Sequence, residues 1–379
     1  MRKVALLAIL ALVQMHGPSD AAARQESFDS ESLQTFLNRA LSSALRQDGW
    51  PGASAAIVRH DKIFVAAAGR RRMDRPASVT VNDRFGLGSN TKAFTSDVIG
   101  ALVERGKVHW ETTLPEALPD IPMRPEYRSV TLRQLMAHRA GLRPWTSPEA
   151  FARAEQFYTG NLTTTRAAFA RAALSDPPIA TPGTRSSYSN VDFVIAALAA
   201  ERASGESWQG LITHYVMAPL GMHPRFAGRK IEEDQPWPHS VTNGKLKPVD
   251  PRNAGPPVMQ GAGGIALSIS DYSRFVQAHL RGLETVDTPI LRSETIRELH
   301  TPVGDGPYAL GWHSQEFAGA SSSVHAGGNG DFFALTVIQP GRDLAVIVLT
   351  NDGADETEVQ AAALLKEIIG RVSTTSPPK

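Results

Sequence analysis

The sequence predicts a mixed α/β fold of the α+β type, in which both ends of the chain build one antiparallel sheet. Two short apolar runs near the N-terminus, residues 53–59 and 63–68, predict adjacent strands. Two more runs, residues 332–339 and 344–350, flank a Pro-Gly-Arg-Asp turn sequence and predict a hairpin near the C-terminus. Between them, from residue 89 to about residue 299, helical patterns alternate with Pro- and Gly-containing loops. We therefore expect a sheet flanked by helices, an inserted mainly helical region, and a ligand site in the cleft between them.

Three helices frame this arrangement. The first covers residues 32–45 before the N-terminal strands, and the last covers residues 356–369 and closes the chain. The third follows Ser89, where apolar residues recur at helical spacing until Gly106 offers a C-cap. If this helix begins at Ser89, residues three apart share one face, which places Lys92 beside Ser89.

Composition limits the size of the core and the choice of partner. The chain has 379 residues, of which 42% are hydrophobic and 20% are charged, so it can build a substantial core in one large or two interlocked domains. We assign residues 24–379 to one domain, with a sheet region at about 24–88 and 300–372 and a helical region at about 89–299. The formal net charge of +1 argues against nucleic acid as a partner, and the tight cluster Arg70-Arg71-Arg72 is interpreted as a solvated turn.

The first 23 residues have the pattern of a secretion signal. Arg2 and Lys3 precede an apolar run over residues 4–13, and Ala21-Ala22-Ala23 offers a small-residue cleavage site. The run is shorter than the roughly 20 apolar residues that span a bilayer, which favours a cleaved signal over a retained anchor. We expect a periplasmic or secreted protein with no stable membrane insertion after cleavage. Because the chain has no cysteine, its stability cannot rest on disulfides.

The segment Ser89-Asn90-Thr91-Lys92 is a candidate for nucleophilic chemistry. A serine hydroxyl needs a neighbouring base to take its proton during attack, and a lysine three residues further along a helix can do so. The N-terminus of that helix would also favour a developing anion at Ser89. The competing interpretation is an ordinary capping serine with a solvated lysine. A second copy of the spacing, Ser376-Pro377-Pro378-Lys379, is excluded because its prolines forbid the required helix.

Two further islands, Tyr188-Ser189-Asn190 and His325-Ala326-Gly327, follow Ser89 in the order of a known family. The chain resembles the serine beta-lactamase and penicillin-binding-protein superfamily, in particular the branch of class C beta-lactamases, DD-peptidases and esterases. The resemblance spans nearly all of the chain beyond the signal and includes further segments in the family's order: Arg84-Phe85-Gly86-Leu87-Gly88, Leu135-Met136-Ala137-His138-Arg139-Ala140-Gly141-Leu142, Pro182-Gly183, Gly263-Gly264, Tyr308-Ala309-Leu310-Gly311-Trp312 and Thr350-Asn351. It implies a beta-lactamase/transpeptidase-like fold and a serine hydrolase that works through an acyl-enzyme.

The resemblance also implies catalytic roles. Ser89 would be the nucleophile, and Lys92 and Tyr188 would share the proton transfers. Burial and the helix N-terminus would both disfavour the lysine ammonium, whereas nearby cations would be needed to favour a tyrosine phenolate. The sequence leaves open which of the two takes the proton. Neither a metal ion nor an organic cofactor is implied.

Substrate-binding roles are implied for four other residues. Asn190 would hydrogen-bond the substrate, and His325 takes the cationic position of the third motif. The substrate-binding strand continues through Gly327 and Gly328, and the backbone N–H groups of Ser89 and Gly328 would form the oxyanion hole. Beta-lactamases usually place lysine where this chain has His325. Because histidine is largely neutral at pH 7, the exchange weakens recognition of a substrate carboxylate.

The implied substrate is a small ester, or an amide or peptide that ends in a D-residue. The corresponding enzymes are a carboxylesterase, a D-aminopeptidase or a DD-carboxypeptidase. Two alternatives stay open, namely a beta-lactamase and a penicillin-binding sensor that acylates without turnover.

Other chemistries find little support in the sequence. The Gly-x-Ser-x-Gly motif of α/β-hydrolases does not occur. Residues 261–266 fit a loose dinucleotide fingerprint, but they follow a Pro-rich segment instead of a strand, so we interpret them as a backbone-packing loop. Without His-Glu-x-x-His or cysteine, a metal site is not expected. His138 is interpreted as a structural residue at a helix end.

Overall fold

The computed structural model describes residues 32–227, 232–251, 255–328 and 331–374. The signal predicted over residues 1–23 lies outside these ranges. Among the described residues, no helix combines the length and the apolarity needed to cross a bilayer.

The main sheet joins the two ends of the chain. The strands are β1 (Gly52–Val58), β2 (Ile63–Gly69), β3 (Arg84–Gly86), β4 (Arg225–Phe226), β5 (His239–Thr242), β6 (Lys245–Pro248), β7 (Ile265–Ser268), β8 (His313–Phe317), β9 (Ala320–Gly328), β10 (Phe333–Gln339) and β11 (Leu344–Thr350). Six of them form a sheet in the order β2-β1-β11-β10-β9-β8, with every neighbouring pair antiparallel. Ala53 of β1 lies opposite Thr350 of β11, so the N-terminal and C-terminal strands pair directly. The predicted fold class is confirmed.

The helices are α1 (Leu33–Asp48), α2 (Thr91–Glu104), α3 (Leu114–Ala117), α4 (Leu132–Met136), α5 (Pro148–Glu155), α6 (Leu162–Ser175), α7 (Asn190–Ser204), α8 (Trp208–Ile212), α9 (Gln260–Gly263), α10 (Ile269–Leu283), α11 (Ser293–His300) and α12 (Thr357–Thr374). Local signals explain where they begin and end. Ser32 caps α1 by accepting the Thr35 N–H, and Gly49 ends this helix with a left-handed φ of 74°. Helices α2 to α11 all fall in the long segment between β3 and β8.

Two apolar cores lie on opposite faces of the main sheet. Alternate strand residues point to each face. Ala55 and Val348 pack with α1 and α12 in the first core, whereas Ala56 and Ile347 pack with the helical segment in the second, larger core. The second core therefore holds the helical segment against the sheet, and the elements that carry the three sequence islands meet at its edge.

The structure corrects three details of the sequence interpretation. The helix after Ser89 begins at Thr91 and is preceded by a 3₁₀ turn, Gly88–Asn90. Residues 261–266 are not a loop, because α9 leads there directly into β7, although Gly261 does pack closely: a Cβ on it would lie 2.7 Å from the Phe193 carbonyl oxygen. The arginine cluster does lie in a turn that follows β2, but it is not only solvated, since Arg71 makes two 2.7 Å hydrogen bonds to Asp83.

Candidate active site

Ser89 sits on the 3₁₀ turn between β3 and α2, where the backbone is pressed against β9. Gly88 has a left-handed φ of 49°, and a Cβ on it would lie 2.8 Å from the Gly328 nitrogen. A Cβ on Gly327 would come 2.6 Å from the Ser89 nitrogen. Glycine is required at both positions because a side chain on either would separate the two segments. This contact holds the backbone of Ser89 beside the strand that is predicted to bind substrate.

Lys92 is completely buried, and its amine touches the Ser89 hydroxyl. The Nζ–Oγ distance is 3.0 Å, and Nζ also lies 2.8 Å from Asn190 Oδ1 and 3.0 Å from the Ala262 carbonyl oxygen. The last two atoms only accept hydrogen bonds, so they take two N–H donors. A neutral amine has two N–H bonds and one lone pair, which leaves the lone pair for the Ser89 hydroxyl proton.

Burial makes that neutral form accessible. It lowers the pKa of Lys92 to about 7, although the nearby Asp192 acts in the opposite direction. A substantial fraction of Lys92 is therefore unprotonated at neutral pH and can accept a proton. The hydrogen bonds of the Ser89 hydroxyl go to catalytic-type partners and not to the helix backbone, which sets the capping interpretation aside.

Tyr188 approaches Ser89 from the other side. Its hydroxyl lies 2.6 Å from Ser89 Oγ, within hydrogen-bonding distance. Burial is the main reason that the pKa of Tyr188 is raised to about 12; the bond to Ser89 opposes this effect, and the nearby Asp192 adds to it. The phenol therefore stays protonated and donates to Oγ. Of the two proton acceptors that the sequence left open, the structure favours Lys92.

Asn190 belongs to the same hydrogen-bonded group. Ser189 caps α7 by accepting the Val191 N–H, which places Asn190 in the first turn of the helix. Its side chain accepts from Lys92 through Oδ1 and donates to the Trp145 carbonyl through Nδ2 at 3.1 Å. Asn190 also lines the cleft. It orients the Lys92 amine in addition to facing the space for substrate.

His325 does not supply the positive charge that its position in the motif suggests. Burial is the main reason that its pKa is lowered to about 3, and the nearby Lys92 and His313 act in the same direction. Its Nε2 lies 3.1 Å from the Tyr308 hydroxyl, and its Nδ1 lies 2.8 Å from the Ala326 carbonyl oxygen. A buried, doubly partnered imidazole stays neutral, so His325 contributes no positive charge that would favour a Tyr188 phenolate.

A cleft of about 1100 Å³ opens above these groups. Ser89, Tyr188 and Asn190 lie in its wall together with Gly327 and Gly328. The residues predicted to bind substrate thus share one cavity with the predicted nucleophile, except for His325, which is 2% exposed and does not line the cleft.

His138 and Asp192 are partners that the sequence did not link to the site. His138 Nδ1 lies 2.6 Å from Asp192 Oδ2, and both side chains are 1% exposed. The His138 ring packs 4.5 Å from the Tyr188 ring, centroid to centroid. Around Tyr188, the Ser187 N–H donates to the His138 carbonyl and the Ser189 N–H donates to His138 Nδ1. The interpretation of His138 as a helix-end residue missed this, because the contact joins segments about fifty residues apart.

In a comparison with protein families, residues 37–370 match the family described as beta-lactamase. The chain belongs to the beta-lactamase family. This family has the fold and the order of motifs seen above, with the Ser89 turn, the Tyr188 segment and strand β9 converging on one cleft.

Two curated relatives and one solved structure illustrate the range of the family. The chain is 26% identical to the unguisins hydrolase ungD' of Aspergillus campestris over 88% of its own length, but it spans 64% of that protein. It is 25% identical to penicillin-binding protein 4 of Amycolatopsis lactamdurans, covering 96% of this chain and 93% of the relative. The structure of a D-stereospecific amidohydrolase from Streptomyces sp. superposes with a TM-score of 0.68 at 23% identity, covering 87% of this chain and 98% of the other.

Proposed function

We propose that this beta-lactamase family member is a serine hydrolase that cleaves small esters or D-amino-acid amides and peptides through an acyl-enzyme. One observation carries the proposal: the Ser89 hydroxyl lies between a buried amine at 3.0 Å and a phenol at 2.6 Å. The amine has the pKa of a base that works near neutral pH, and the phenol has that of an acid.

Acylation follows from this geometry. Ser89 Oγ attacks the substrate carbonyl carbon while its proton passes to Lys92 Nζ. The carbonyl oxygen becomes an oxyanion, which the backbone N–H groups of Ser89 and Gly328 would stabilise. When the bond to the leaving group breaks, that group takes a proton from Tyr188, and Tyr188 recovers one from Lys92. The product of this half-reaction is a Ser89 ester and a neutral leaving group.

Deacylation uses the same groups in the reverse direction. A water molecule attacks the carbonyl carbon of the Ser89 ester and gives a proton to Tyr188, which passes its own proton to Lys92. The bond to Oγ then breaks, Lys92 returns a proton to Oγ, and the acyl group leaves as the carboxylic acid. The names of the relatives support turnover by hydrolysis, since one is called a hydrolase and another an amidohydrolase. The neutral His325 favours an ester, or an amide without a carboxylate at this position, over a beta-lactam.

Turnover separates the proposal from the sensor alternative. We expect the purified protein to release many equivalents of 4-nitrophenol from 4-nitrophenyl acetate, and the Ser89→Ala variant to release none above the rate in buffer. A single burst of one equivalent per molecule would contradict the hydrolase proposal and indicate a sensor that is acylated but does not turn over. Unchanged turnover in the variant would contradict the nucleophile itself.

We also propose that the protein is exported and acts in the periplasm or outside the cell. The support is the signal-like sequence of residues 1–23. Comparing the N-terminal residue of protein recovered from the cell exterior with that of the full chain tests this proposal. An N-terminus near residue 24 is the expected result.

A further inference from the structure

We propose that the active-site cleft selects substrates whose acyl part carries a positive charge, such as an ammonium group. The inference rests on the proposed acyl-transfer function and adds the charge of the substrate to it. The cleft itself is defined by Ser89 and its partners, and the proposal concerns the charge of the walls around them.

The walls of the cleft carry negative charge. Five of the described residues that line it are acidic, and none of the described lining residues is lysine, arginine or histidine: Glu155, Asp331, Asp352, Asp355 and Glu358. They come from three separate parts of the chain, namely the end of α5, the segment before β10, and the segment from the end of β11 into α12. Their charges converge because these parts surround the same space.

Several of these carboxylates are not neutralised locally. Asp331, Asp355 and Glu358 make no ion pair with any cation in the described part of the chain, in contrast to Asp83, which binds Arg71 at 2.7 Å. Asp331 accepts the Phe332 N–H at 2.6 Å. Burial raises the pKa of Asp331 to about 6, so its carboxylate is ionised at pH 7.5.

The catalytic groups do not balance this charge. His325 is neutral, and Lys92 loses its charge near pH 7. Cationic side chains of the described residues appear instead in an adjoining, smaller cavity of about 150 Å³, where Arg84 and Arg225 both lie close to Glu232. A carboxylate in the large cleft would therefore meet repulsion.

Asp331 is the best-placed anchor for a cationic group. It lines both cavities together with Ser89 and Gly328. The rings of Phe151, Phe332 and Phe333 line the same cleft, and the face of an aromatic ring attracts an ammonium group. An ammonium between a carboxylate and aromatic rings is attracted by both.

A set of matched substrates tests the proposal. The 4-nitrophenyl esters of 6-aminohexanoate, heptanoate and hemiadipate place an ammonium, a methyl and a carboxylate at the end of similar chains. We expect kcat/KM at pH 7.5 to fall in that order, with an advantage of about tenfold for the ammonium ester over the neutral one. This advantage should shrink at 1 M salt, because exposed charges are then screened within about 3 Å. Equal values for the three esters, or a preference for the carboxylate, would overturn the proposal.

Variants assign the preference to the cleft. Asp331→Asn and the exposed Asp355→Asn should each lower the ratio of the ammonium ester to the neutral ester, whereas Asp61→Asn in the exposed β1–β2 turn should leave it unchanged. A ratio that falls equally in all three variants would point to net charge and contradict a local site. Ser89→Ala tests the proposed function separately, because it should stop turnover of all three esters. If turnover depends on Ser89 but shows no preference for the ammonium ester, only the inference about charge is contradicted.

Discussion

The surroundings of Lys92 determine the pH at which Ser89 can lose its proton. A shift of the lysine pKa from 10.5 to about 7 disfavours the ammonium by about 5 kcal/mol. Two backbone or amide oxygens hold the amine in place, so its lone pair is available only to Ser89. Burial thus leaves the amine neutral enough to act as a base, and the two hydrogen bonds direct its lone pair toward Ser89.

We therefore predict that kcat/KM for a neutral ester is lost as the pH falls through about 7. The reason is that the ammonium form of Lys92, which dominates below its pKa, has no lone pair. A profile of kcat/KM from pH 5 to pH 10 measures this fall, which is the acidic limb of the profile. Tyr188→Phe should lower the rate but keep the limb near 7, because the limb belongs to the lysine. A rate that keeps rising up to pH 10 would show that the lysine pKa is not depressed.

A second prediction concerns the charge at position 325. His325→Lys should raise acylation by carboxylated beta-lactams relative to neutral esters by about tenfold, because the longer lysine side chain can extend from this strand position toward the cleft, where its ammonium attracts the substrate carboxylate. The neutral variant His325→Gln is the matched control and should leave the ratio near that of the natural protein. Rates measured with a chromogenic cephalosporin and 4-nitrophenyl acetate give the ratio. If lysine and glutamine give the same ratio, the neutrality of His325 does not determine carboxylate discrimination.

Single residues show what sequence could and could not predict. Ser89, Lys92 and Tyr188 were identified because their side chains suit the chemistry and follow a familiar order. The Ala262 carbonyl that holds Lys92 could not be found, since a backbone oxygen leaves no mark in the sequence. Likewise, the neutrality of His325 depends on burial and on Tyr308, and neither is visible in a three-residue motif.

At the scale of elements, the segment around Tyr188 has no regular structure and is held by His138. His138 has a left-handed φ of 59°, which turns its side chain away from the end of α4 and toward α7. Its carbonyl and its Nδ1 accept the N–H groups of Ser187 and Ser189, one on each side of Tyr188. His138 is thus a positioning residue for the phenol.

We predict that removing the His138 side chain lowers kcat by about 10- to 100-fold with little change in KM. His138→Gly removes the side chain without backbone strain, whereas His138→Asn keeps a left-handed conformation and an acceptor near the Nδ1 position. The asparagine variant should recover part of the lost kcat. Steady-state kinetics with a neutral ester, together with the pH limb near 7, measure the effect. A moved pH limb, or equal kcat in the two variants, would contradict a positioning role.

The strands of the main hairpin could be predicted more exactly than the surroundings of the site. Strands β10 and β11 are continuous apolar runs around a turn sequence, and the predicted boundaries agree within one residue. By contrast, the short strand β7 and helix α9 were interpreted as a loop, because four-residue elements carry too few residues for a period to show. The regular structure of α9 and β7 depends on contacts with α7 and β3 instead.

At the scale of the whole molecule, the outer core, which α1 and α12 form with one face of the sheet, is separate from the segment that carries the catalytic residues. The first and last helices cover one face of the sheet, whereas Ser89, Lys92 and Tyr188 belong to the helical segment that packs on the other face. Leu365 of α12 is fully buried in the outer core, whereas Val359 of the same helix is 73% exposed. The two residues offer a matched pair that separates folding from catalysis.

We predict that Leu365→Ala lowers the free energy of unfolding by about 2–5 kcal/mol, since it leaves a cavity in a packed core. Val359→Ala should change it by less than about 0.5 kcal/mol. Urea unfolding followed by circular dichroism measures both values. The kcat of the folded Leu365→Ala protein should match that of the natural chain. A large loss of kcat in folded protein would show that the outer core supports the site.

The whole account depends on Ser89 being the atom that is acylated. The most direct measurement is intact-protein mass spectrometry after incubation with a fluorophosphonate, followed by peptide mapping of the adduct. We predict one adduct per chain, located on Ser89, and none in the Ser89→Ala variant at equal concentration and with an unchanged circular dichroism spectrum. An adduct on another residue, or equal labelling of the folded variant, would contradict the account.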